Sequence, residues 1–286
     1  MALATTGFSE ALIGSAYDQD FGGLLHLWSD SPVQHAGLFE GPVGTPADAD
    51  DYRAAAQRTS ERLAVEASIG DSSRVLDVGC GCGGTAAQLA RDMGCEVVGI
   101  DIAADHVDYA RTRYTGLPVE FRQASATALP FGDGEFSHVI SMDALYHVLD
   151  KPRAHAEMRR VLRQGGTLAI TDFLRPRDDI SADVQTGLYD RLMFNGGHSV
   201  LGYQAALATA GFDIRLARDI SLDLRRSYLL LARIARDRCA AVDSPRRRLA
   251  LRSYARACLG IQAAIGRREF GWGMFVADRA PGGETP

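Results

Sequence analysis

Short apolar runs alternate with helical segments between residues 74 and 172, and this pattern constrains the fold more than any other feature. Strands that alternate with helices favour βαβ units, in which helices cover a parallel sheet. Two further β-rich runs follow later in the chain. The sequence therefore predicts an α/β fold with seven strands, at Arg74–Val78, Glu96–Ile100, Val119–Gln123, Phe136–Ser141, Thr167–Asp172, Phe212–Asp219 and Gly271–Asp278.

Helical spacing of apolar residues predicts most of the remaining segments. The N-terminal residues are expected to be mostly helical, with a helix over Asp51–Ser68. Two stretches that interrupt the alternation of strands and helices, Ser181–Phe194 and Leu201–Ala210, are also predicted to be helical. Two Arg-rich helices are predicted near the end of the chain, at Leu224–Val242 and Pro245–Arg267.

Composition excludes several classes of function. No apolar run reaches the roughly 18 residues of a membrane-spanning helix, and the net charge of −5 argues against a general nucleic-acid binder. Of the 31 basic residues only Lys151 is a lysine, so the chain has no Gly-x-x-x-x-Gly-Lys phosphate loop. The N-terminus lacks the basic start of a secretory signal. Five scattered cysteines indicate reduced thiols, as in a cytoplasmic protein.

A glycine-rich loop follows the first strand, with glycine at 79, 81, 83 and 84. Such a loop lets the backbone approach a ligand, and the next helix offers its N-terminal N–H groups. Asp101 ends the next strand, where a carboxylate can accept both hydroxyls of a ribose. The same glycines also satisfy Gly-x-Gly-x-x-Gly, so a nicotinamide enzyme and a simple tight turn remain alternatives at this point.

Three longer sequence motifs distinguish between these alternatives. They are Val-Leu-Asp-Val-Gly-Cys-Gly at 75–81, Leu-Pro-Phe at 129–131 and Leu-Arg-Gln-Gly-Gly at 162–166. Together they resemble the S-adenosylmethionine-dependent methyltransferases with a Rossmann-like fold, in the small-molecule branch of the ubiquinone, tocopherol and sarcosine/dimethylglycine enzymes. A short-chain dehydrogenase would need Tyr-x-x-x-Lys, but His147 stands four residues before Lys151.

The resemblance implies an organisation as well as a fold. It implies a seven-stranded, mostly parallel sheet with helices on both faces and a helical lid. Residues 1–70 would form the N-terminal lid, 71–174 the cofactor-binding core, 175–210 an inserted helical cap, and 211–286 the rest of the core with extra helices. The expected partner is a small molecule, without nucleic acid, membrane or metal, and the protein would be a monomer or homodimer.

Cofactor roles carry over residue by residue from this resemblance. Asp77 and the loop would hold the methionine part, Asp101 the ribose, and Ile102 the adenine. Family members often have Gly-Asp-Ala before Leu-Pro-Phe, with the Asp on the adenine amino group; here the sequence is Ala124-Ser125-Ala126. The predicted cofactor residues are Tyr17, Asp77, Gly79, Cys80, Gly81, Gly83, Asp101, Ile102, Ser125, Ala126 and Met142.

Methyl transfer to oxygen or carbon often needs a base, whereas a neutral amine does not. His147 is the first candidate by chain position, with His35 and His198 behind it, and each could instead be a positioning or structural histidine. A histidine base predicts a rate that rises through a pKa of about 6–7.5. The expected substrate wall is Trp28, Tyr146, Phe173, Met193, Phe194 and Tyr203.

The substrate atom stays open between oxygen, carbon and nitrogen. Arg-rich, Lys-poor usage is typical of high-GC bacteria, in which this fold often tailors specialised metabolites in natural product biosynthesis. N-methylation of an amine or amino acid of the sarcosine type is an alternative. A nucleic-acid methyltransferase would carry an Asn/Asp-Pro-Pro-Tyr-like motif where Ser141-Met142-Asp143-Ala144 stands, and a non-catalytic cofactor-binding protein is the other remaining class.

Overall fold

The computed structural model describes residues 8–16, 35–41 and 48–281. Seven strands form one sheet in the order β3-β2-β1-β4-β5-β7-β6. The strands are β1 (Arg74–Val78), β2 (Glu96–Asp101), β3 (Val119–Gln123), β4 (Phe136–Met142), β5 (Leu162–Leu174), β6 (Phe212–Asp219) and β7 (Gly271–Arg279). The longer helices are α1 (Ala49–Ala67), α2 (Gly84–Met93), α3 (Ala104–Arg113), α4 (Lys151–Val161), α5 (Val200–Thr209), α6 (Ser221–Ala241) and α7 (Pro245–Gly266).

The first five strands are parallel, and β7 lies antiparallel between β5 and β6. This confirms the predicted α/β fold with a mostly parallel, seven-stranded sheet. The carboxyl ends of β1, β2 and β4 therefore meet at one edge, which is where open sheets of this kind bind ligands. None of the described helices is long and apolar enough to cross a membrane.

Local sequence signals explain where several helices begin. Asp48 caps α1, and its side chain and that of Asp51 each accept a backbone N–H of the other, which forms a capping box. Asp150 accepts the N–H of Arg153 at the start of α4. Ser244 precedes Pro245 at the start of α7, where proline is tolerated because its missing N–H would have no helical partner.

The predicted helical stretch Ser181–Phe194 is helical only over residues 182–189, and not as one regular α-helix. The chain makes a three-residue helical turn at Ala182–Val184 and then a wider π-helical turn at Gln185–Tyr189. Tyr189 is buried, and its hydroxyl donates to the backbone oxygen of Glu269 at 2.7 Å. The wide turn places this ring against the core, so tertiary anchoring overrides the helical spacing of the sequence.

Two N-terminal pieces pack on the sheet edge that carries the strand ends. Residues 8–16, called the N-terminal segment below, include a helical part from residue 10 to 16. Residues 35–41, called the strap, lie between α1 and α6. Leu38 N–H donates to Ala55 O, Gly37 N–H to Ser227 Oγ and Phe39 N–H to Asp223.

The single lysine is a buried structural cation. Lys151 Nζ donates to the backbone oxygens of Tyr146, Val148 and Asn195, which belong to two different loops. Burial lowers the pKa of Lys151 to about 8, and nearby Asp172 opposes that shift. A compact ammonium with three donors fits three converging carbonyls, whereas a planar guanidinium does not.

Replacing this cation should destabilise the fold. Lys151→Met keeps most of the volume but leaves three carbonyls unpaired beside a buried carboxylate. We expect the free energy of unfolding to fall by at least about 1.5–3 kcal/mol, the range for one hydrogen bond to a charged group. Urea denaturation at constant pH measures the loss.

Arg153→Ala is the matched control on the same helix, because the Arg153 side chain is 59% exposed and its ion pair with Glu157 is long, at 3.8 Å. It should change the free energy of unfolding by only about 0–1 kcal/mol. Equal stabilities of the two variants would contradict the role given to Lys151.

Candidate functional site

A cavity of about 260 Å³ lies at the carboxyl ends of β1, β2 and β4. The N-terminal segment, the strap, the glycine loop and the residues after β4 all contribute to its wall. Its lining includes the predicted residues His35, Asp77, Gly79, Cys80, Gly81, Asp101, Ile102, Ala126, Met142, Tyr146, His147 and Phe173. The fold therefore brings most of the residues predicted from the sequence to one place.

The glycine loop is shaped by close backbone approaches. Gly79 has φ +78°, and a Cβ at this position would lie 2.4 Å from the Cβ of Ala144. Gly83 has φ +79°, and a Cβ there would collide with the ring of Phe121. Gly83 itself lies just outside the cavity, where it precedes α2. Only glycine fits both positions, and the first of them leaves open backbone on the cavity floor.

Asp101 closes this loop from the end of β2. Its Oδ2 accepts Gly81 N–H at 2.8 Å, and its Oδ1 accepts Ala103 N–H at 2.9 Å. His106 lies beside it, with Nδ1 3.9 Å from Oδ1. The carboxylate is thus fixed at the cavity wall, where its remaining lone pairs can accept hydroxyl donors.

Asp77 is buried within β1 below the loop. Among the described residues its Oδ2 has no hydrogen-bond donor. Burial, together with the charge of Asp101, raises the pKa of Asp77 to about 7. A buried carboxylate without a donor is costly, so this atom is suited to a cationic ligand in the cavity.

The N-terminal segment reaches the cavity end formed by Ile102, Ala124 and Ala126. Glu10 lines this end, and its Oε1 accepts Ser125 Oγ at 2.9 Å and Thr127 Oγ1 at 3.3 Å. Ser125 itself does not line the cavity. Its predicted contact with the adenine amino group is therefore not supported by its position, because its hydroxyl faces Glu10.

Asp143 follows β4 with φ +51°, which turns its carboxylate back toward the sheet. It accepts Trp272 Nε1 at 2.6 Å, Thr171 Oγ1 at 2.9 Å and Ala36 N–H at 3.3 Å. Burial raises the pKa of Asp143, and the neighbouring His35 opposes that shift. This carboxylate thus joins the strap to β5 and β7.

His35 is held by the protein at both ring nitrogens. Nδ1 donates to Ala36 O at 3.0 Å, and Nε2 lies 3.0 Å from Ser60 Oγ. Burial lowers the pKa of His35, which favours the neutral ring. With both nitrogens engaged, His35 is placed to hold the strap beside Asp143 rather than to take a proton from a substrate.

His147 lies in the turn after β4 and lines the cavity. Its Nδ1 donates to the backbone oxygen of Met193 at 3.3 Å, which fixes the tautomer with the lone pair on Nε2. The ring stacks on Tyr146 with centroids 3.9 Å apart. Burial lowers the pKa of His147 to about 4, so the imidazole is neutral near pH 7. This pKa lies below the range of about 6–7.5 through which the rate is expected to rise with a histidine base.

Three predicted substrate residues, and the candidate base His198, lie behind the cavity wall and not in it. Phe194 packs behind Tyr146, with centroids 5.5 Å apart, and Met193 contributes its backbone oxygen to His147. Tyr203 is buried and donates to Asp172 Oδ2 at 3.0 Å, with the ring of His198 edge-on against it. None of these four residues lines the cavity, so the structure does not bring them to the predicted site.

Tyr17 and Trp28 lie outside the described residues. The sequence analysis did not select Glu10, His106, Asp143 or Tyr228, all of which line the cavity. Asp143 could have been selected from the sequence, because it lies two residues after the fourth predicted strand, at the sheet edge where ligands bind. The others lie on helices whose docking onto this edge of the sheet is a tertiary event.

Apart from its histidines, the ionisable side chains on the described cavity wall are acidic. Its described lining contains the carboxylates of Glu10, Asp77, Asp101 and Asp143 but no lysine or arginine. The undescribed residues contain no lysine or arginine either, since the first basic residue of the chain is Arg53 and residues 282–286 have none. Among the described residues, no group of three or more His, Cys, Asp or Glu side chains is arranged to hold a metal ion.

These features fit S-adenosylmethionine. Asp77 offers a buried acceptor for an ammonium group, the glycine floor leaves room for a chain to lie against it, and Asp101 offers acceptors for hydroxyls. The apolar end beside Ile102 suits a flat base.

Comparison with known proteins agrees with this chemistry. The methyltransferase domain family matches residues 75–166. A methyltransferase of Streptomyces halstedii, GfsG, is 32% identical over 74% of this chain and 77% of its own length. The 27-O-demethylrifamycin SV methyltransferase of Amycolatopsis mediterranei is 30% identical over 76% of this chain and 79% of its own.

Other relatives are similar over less of the chain or differ in chemistry. A glycine/sarcosine/dimethylglycine N-methyltransferase of Actinopolyspora halophila is 34% identical over 51% of this chain and 26% of its own length. The crystal structure of the [4+2]-cyclase SpnF superposes with a TM-score of 0.79 at 25% identity, over 96% of this chain and 98% of its own. On its fold, its cavity and these relatives, this chain belongs to the S-adenosylmethionine-dependent methyltransferases that act on small molecules.

Proposed function

We propose that this enzyme transfers the methyl group of S-adenosylmethionine to a hydroxyl oxygen of an uncharged small molecule, a specialised metabolite. The observation that carries the proposal is the cavity wall, which has four carboxylates and neither lysine nor arginine among its described residues. The residues outside the described part have no lysine or arginine to add. The name of the 27-O-demethylrifamycin SV methyltransferase, which matches 76% of this chain, supports oxygen as the acceptor.

The absence of lysine and arginine from the described wall argues against anionic acceptors. Enzymes usually bind carboxylates and phosphates through charge-assisted hydrogen bonds from arginine or lysine. The side chains on the acceptor side of the cavity offer no cation to pair with a carboxylate or diphosphate of the acceptor, whereas the carboxylate of the cofactor itself can be met by backbone N–H groups of the glycine loop and the start of α2. N-methylation of the sarcosine type is therefore the weaker alternative, and a neutral acceptor fits the wall formed by Met142, Leu145, Tyr146, Phe173 and Leu192.

The cofactor, when bound, supplies an electrophilic methyl group on a sulfonium. In this proposal Asp77 holds its ammonium group, the backbone of residues 79–81 lies along its methionine part, and Asp101 accepts its ribose hydroxyls. Ile102 packs on the base, and Met142 lines the wall near the reacting carbon. In this proposal the described N-terminal residues on the cavity wall, Glu10, Ile13, His35 and Ala36, together with Leu192, help to exclude water from this space.

His147 is the proposed base. Its Nδ1–H is committed to Met193 O, so the neutral ring has its lone pair on Nε2. As the acceptor oxygen forms its bond to the methyl carbon and the carbon–sulfur bond breaks, the hydroxyl proton passes to Nε2. His35 positions the strap and is not the base in this scheme. His198 lies behind Tyr203, away from the cavity, and takes no part.

Acceptor chemistry tests the proposal directly. The enzyme is given S-adenosylmethionine with a ¹³C-labelled methyl group, together with either neutral hydroxylated natural products or sarcosine, dimethylglycine, phosphoethanolamine and geranyl diphosphate. The NMR shift of the transferred carbon distinguishes O-, N- and C-methyl products. We expect O-methyl products from the neutral set alone; efficient transfer to an anionic acceptor would contradict the proposal.

Cofactor binding should depend on pH through Asp77. The pKa of Asp77 is about 7 without ligand, and a bound ammonium favours the ionised carboxylate. Affinity should therefore fall as pH drops below 7, by up to about tenfold for each pH unit, and level off above it. Calorimetry with S-adenosylhomocysteine between pH 5.5 and 8.5 measures this dependence.

The matched control is Asp77→Asn, whose side chain does not titrate in this range. It should bind weakly and with little dependence on pH. A wild-type affinity that stays constant from pH 5.5 to 8.5 would remove Asp77 from the ammonium site.

His147 should govern the chemical step without affecting cofactor binding. With an acceptor identified as above, His147→Gln should lower kcat by at least about 100-fold, the lower bound for general-base catalysis, because no lone pair of similar basicity replaces Nε2. Since burial lowers the pKa of His147 to about 4, wild-type kcat at saturating substrates should stay nearly constant from pH 5.5 to 8. Stopped-flow or steady-state assays measure both quantities.

His198→Gln is the control, since this ring lies outside the cavity, and it should keep most of the activity. Retention of most activity by His147→Gln would restrict His147 to shaping the cavity. The cytoplasmic location, the oligomeric state and the division into lid, core and cap stay predictions.

A further inference from the structure

Glu10 lies in the N-terminal segment, yet its carboxylate forms part of the cavity wall. Oε1 accepts the hydroxyls of Ser125 and Thr127, at 2.9 and 3.3 Å. No described residue donates a hydrogen bond to Oε2. An ionised carboxylate has acceptor sites on both oxygens, so Oε2 can receive a donor from a ligand.

The position of Glu10 relative to Asp101 identifies the part of the ligand it would meet. Asp101 marks the ribose position at the end of β2, and the glycine floor lies on one side of it. The base must then lie on the other side, against Ile102, Ala124 and Ala126. These three side chains are apolar, and Glu10 is the charged residue that joins them at this end of the wall.

The N-terminal segment is held in place by two further contacts. Phe8 N–H donates to Asn195 Oδ1 at 2.7 Å, and Asn195 Nδ2 donates back to Phe8 O at 2.9 Å. Gly14 faces Ile102, where an added Cβ would be 3.5 Å from the backbone oxygen. With both ends of the segment fixed, the carboxylate of Glu10 has a defined position over the base.

We propose that Glu10 accepts a hydrogen bond from the exocyclic amino group of adenine, so that the N-terminal segment selects the base of the cofactor. Adenine presents two N–H donors at this edge, whereas hypoxanthine presents an oxygen there. A carboxylate favours the first and repels the second. The proposal rests on the cofactor class and is independent of the identity of the methyl acceptor.

Binding measurements with two ligands test this role. S-adenosylhomocysteine carries the amino group, and S-inosylhomocysteine carries an oxygen at the same position. We expect the wild-type protein to prefer the adenine ligand by at least about tenfold, as for one hydrogen bond to a charged group. Glu10→Gln presents an amide that can donate to the oxygen, so the preference should shrink at least about tenfold or reverse.

The control is Glu96→Gln, which makes the same chemical change at the exposed amino end of β2. It should leave the affinity for both ligands unchanged. Glu10→Ala tests a purely structural role, because loss of the segment's docking would weaken both ligands by the same factor.

The ratio of the two dissociation constants decides the outcome. A preference for adenine that falls in Glu10→Gln and Glu10→Ala but not in Glu96→Gln supports base selection by Glu10. An unchanged ratio in the Glu10 variants would overturn it, whether both affinities fall together or neither changes. Thermal unfolding of each variant confirms that the compared proteins are folded.

Discussion

Two buried carboxylates, Asp77 and Asp172, and the half-buried Asp143 lie at the carboxyl edge of the sheet, and each is costly unless it finds a partner. Asp143 and Asp172 find theirs within the protein. Asp143 accepts donors from the strap, β5 and β7, and Asp172 accepts Tyr146 N–H and the hydroxyl of Tyr203. Asp77 has an oxygen without a donor among the described residues. The cavity therefore lies beside Asp77, the one of these three carboxylates whose hydrogen bonding within the described protein is incomplete.

The two satisfied carboxylates position the rest of the site. Asp143 fixes the strap, and Asp172 with Lys151 fixes the turn that carries Tyr146 and His147. Asn195 then joins this turn to the N-terminal segment through Phe8. Segments distant in sequence are thereby held around one cavity, which brings His147, Asp77 and an apolar wall together.

Sequence reasoning was strongest where a pattern is local. The strands, the glycine loop and Asp101 follow from periodicity and spacing, and the structure places them as expected. It was only partly right at residues 181–194, where the buried Tyr189 imposes a wide turn. It also assigned no role to Glu10, because nothing near residue 10 shows that its helix docks beside Ser125. The low pKa of His147 likewise depends on burial, which sequence spacing does not reveal.

Asp77 Oδ2 is buried without a hydrogen-bond donor among the described residues, and in our proposal the ammonium group of the cofactor supplies that donor. The most direct measurement is a ¹³C NMR titration of the Asp77 carboxyl carbon, assigned with Asp77→Asn, with and without S-adenosylhomocysteine. The account predicts a pKa of about 7 in the free protein, lowered by about 1–3 when the ligand binds. A free-protein pKa near the ordinary aspartate value of about 4, or one that the ligand does not lower, would contradict it.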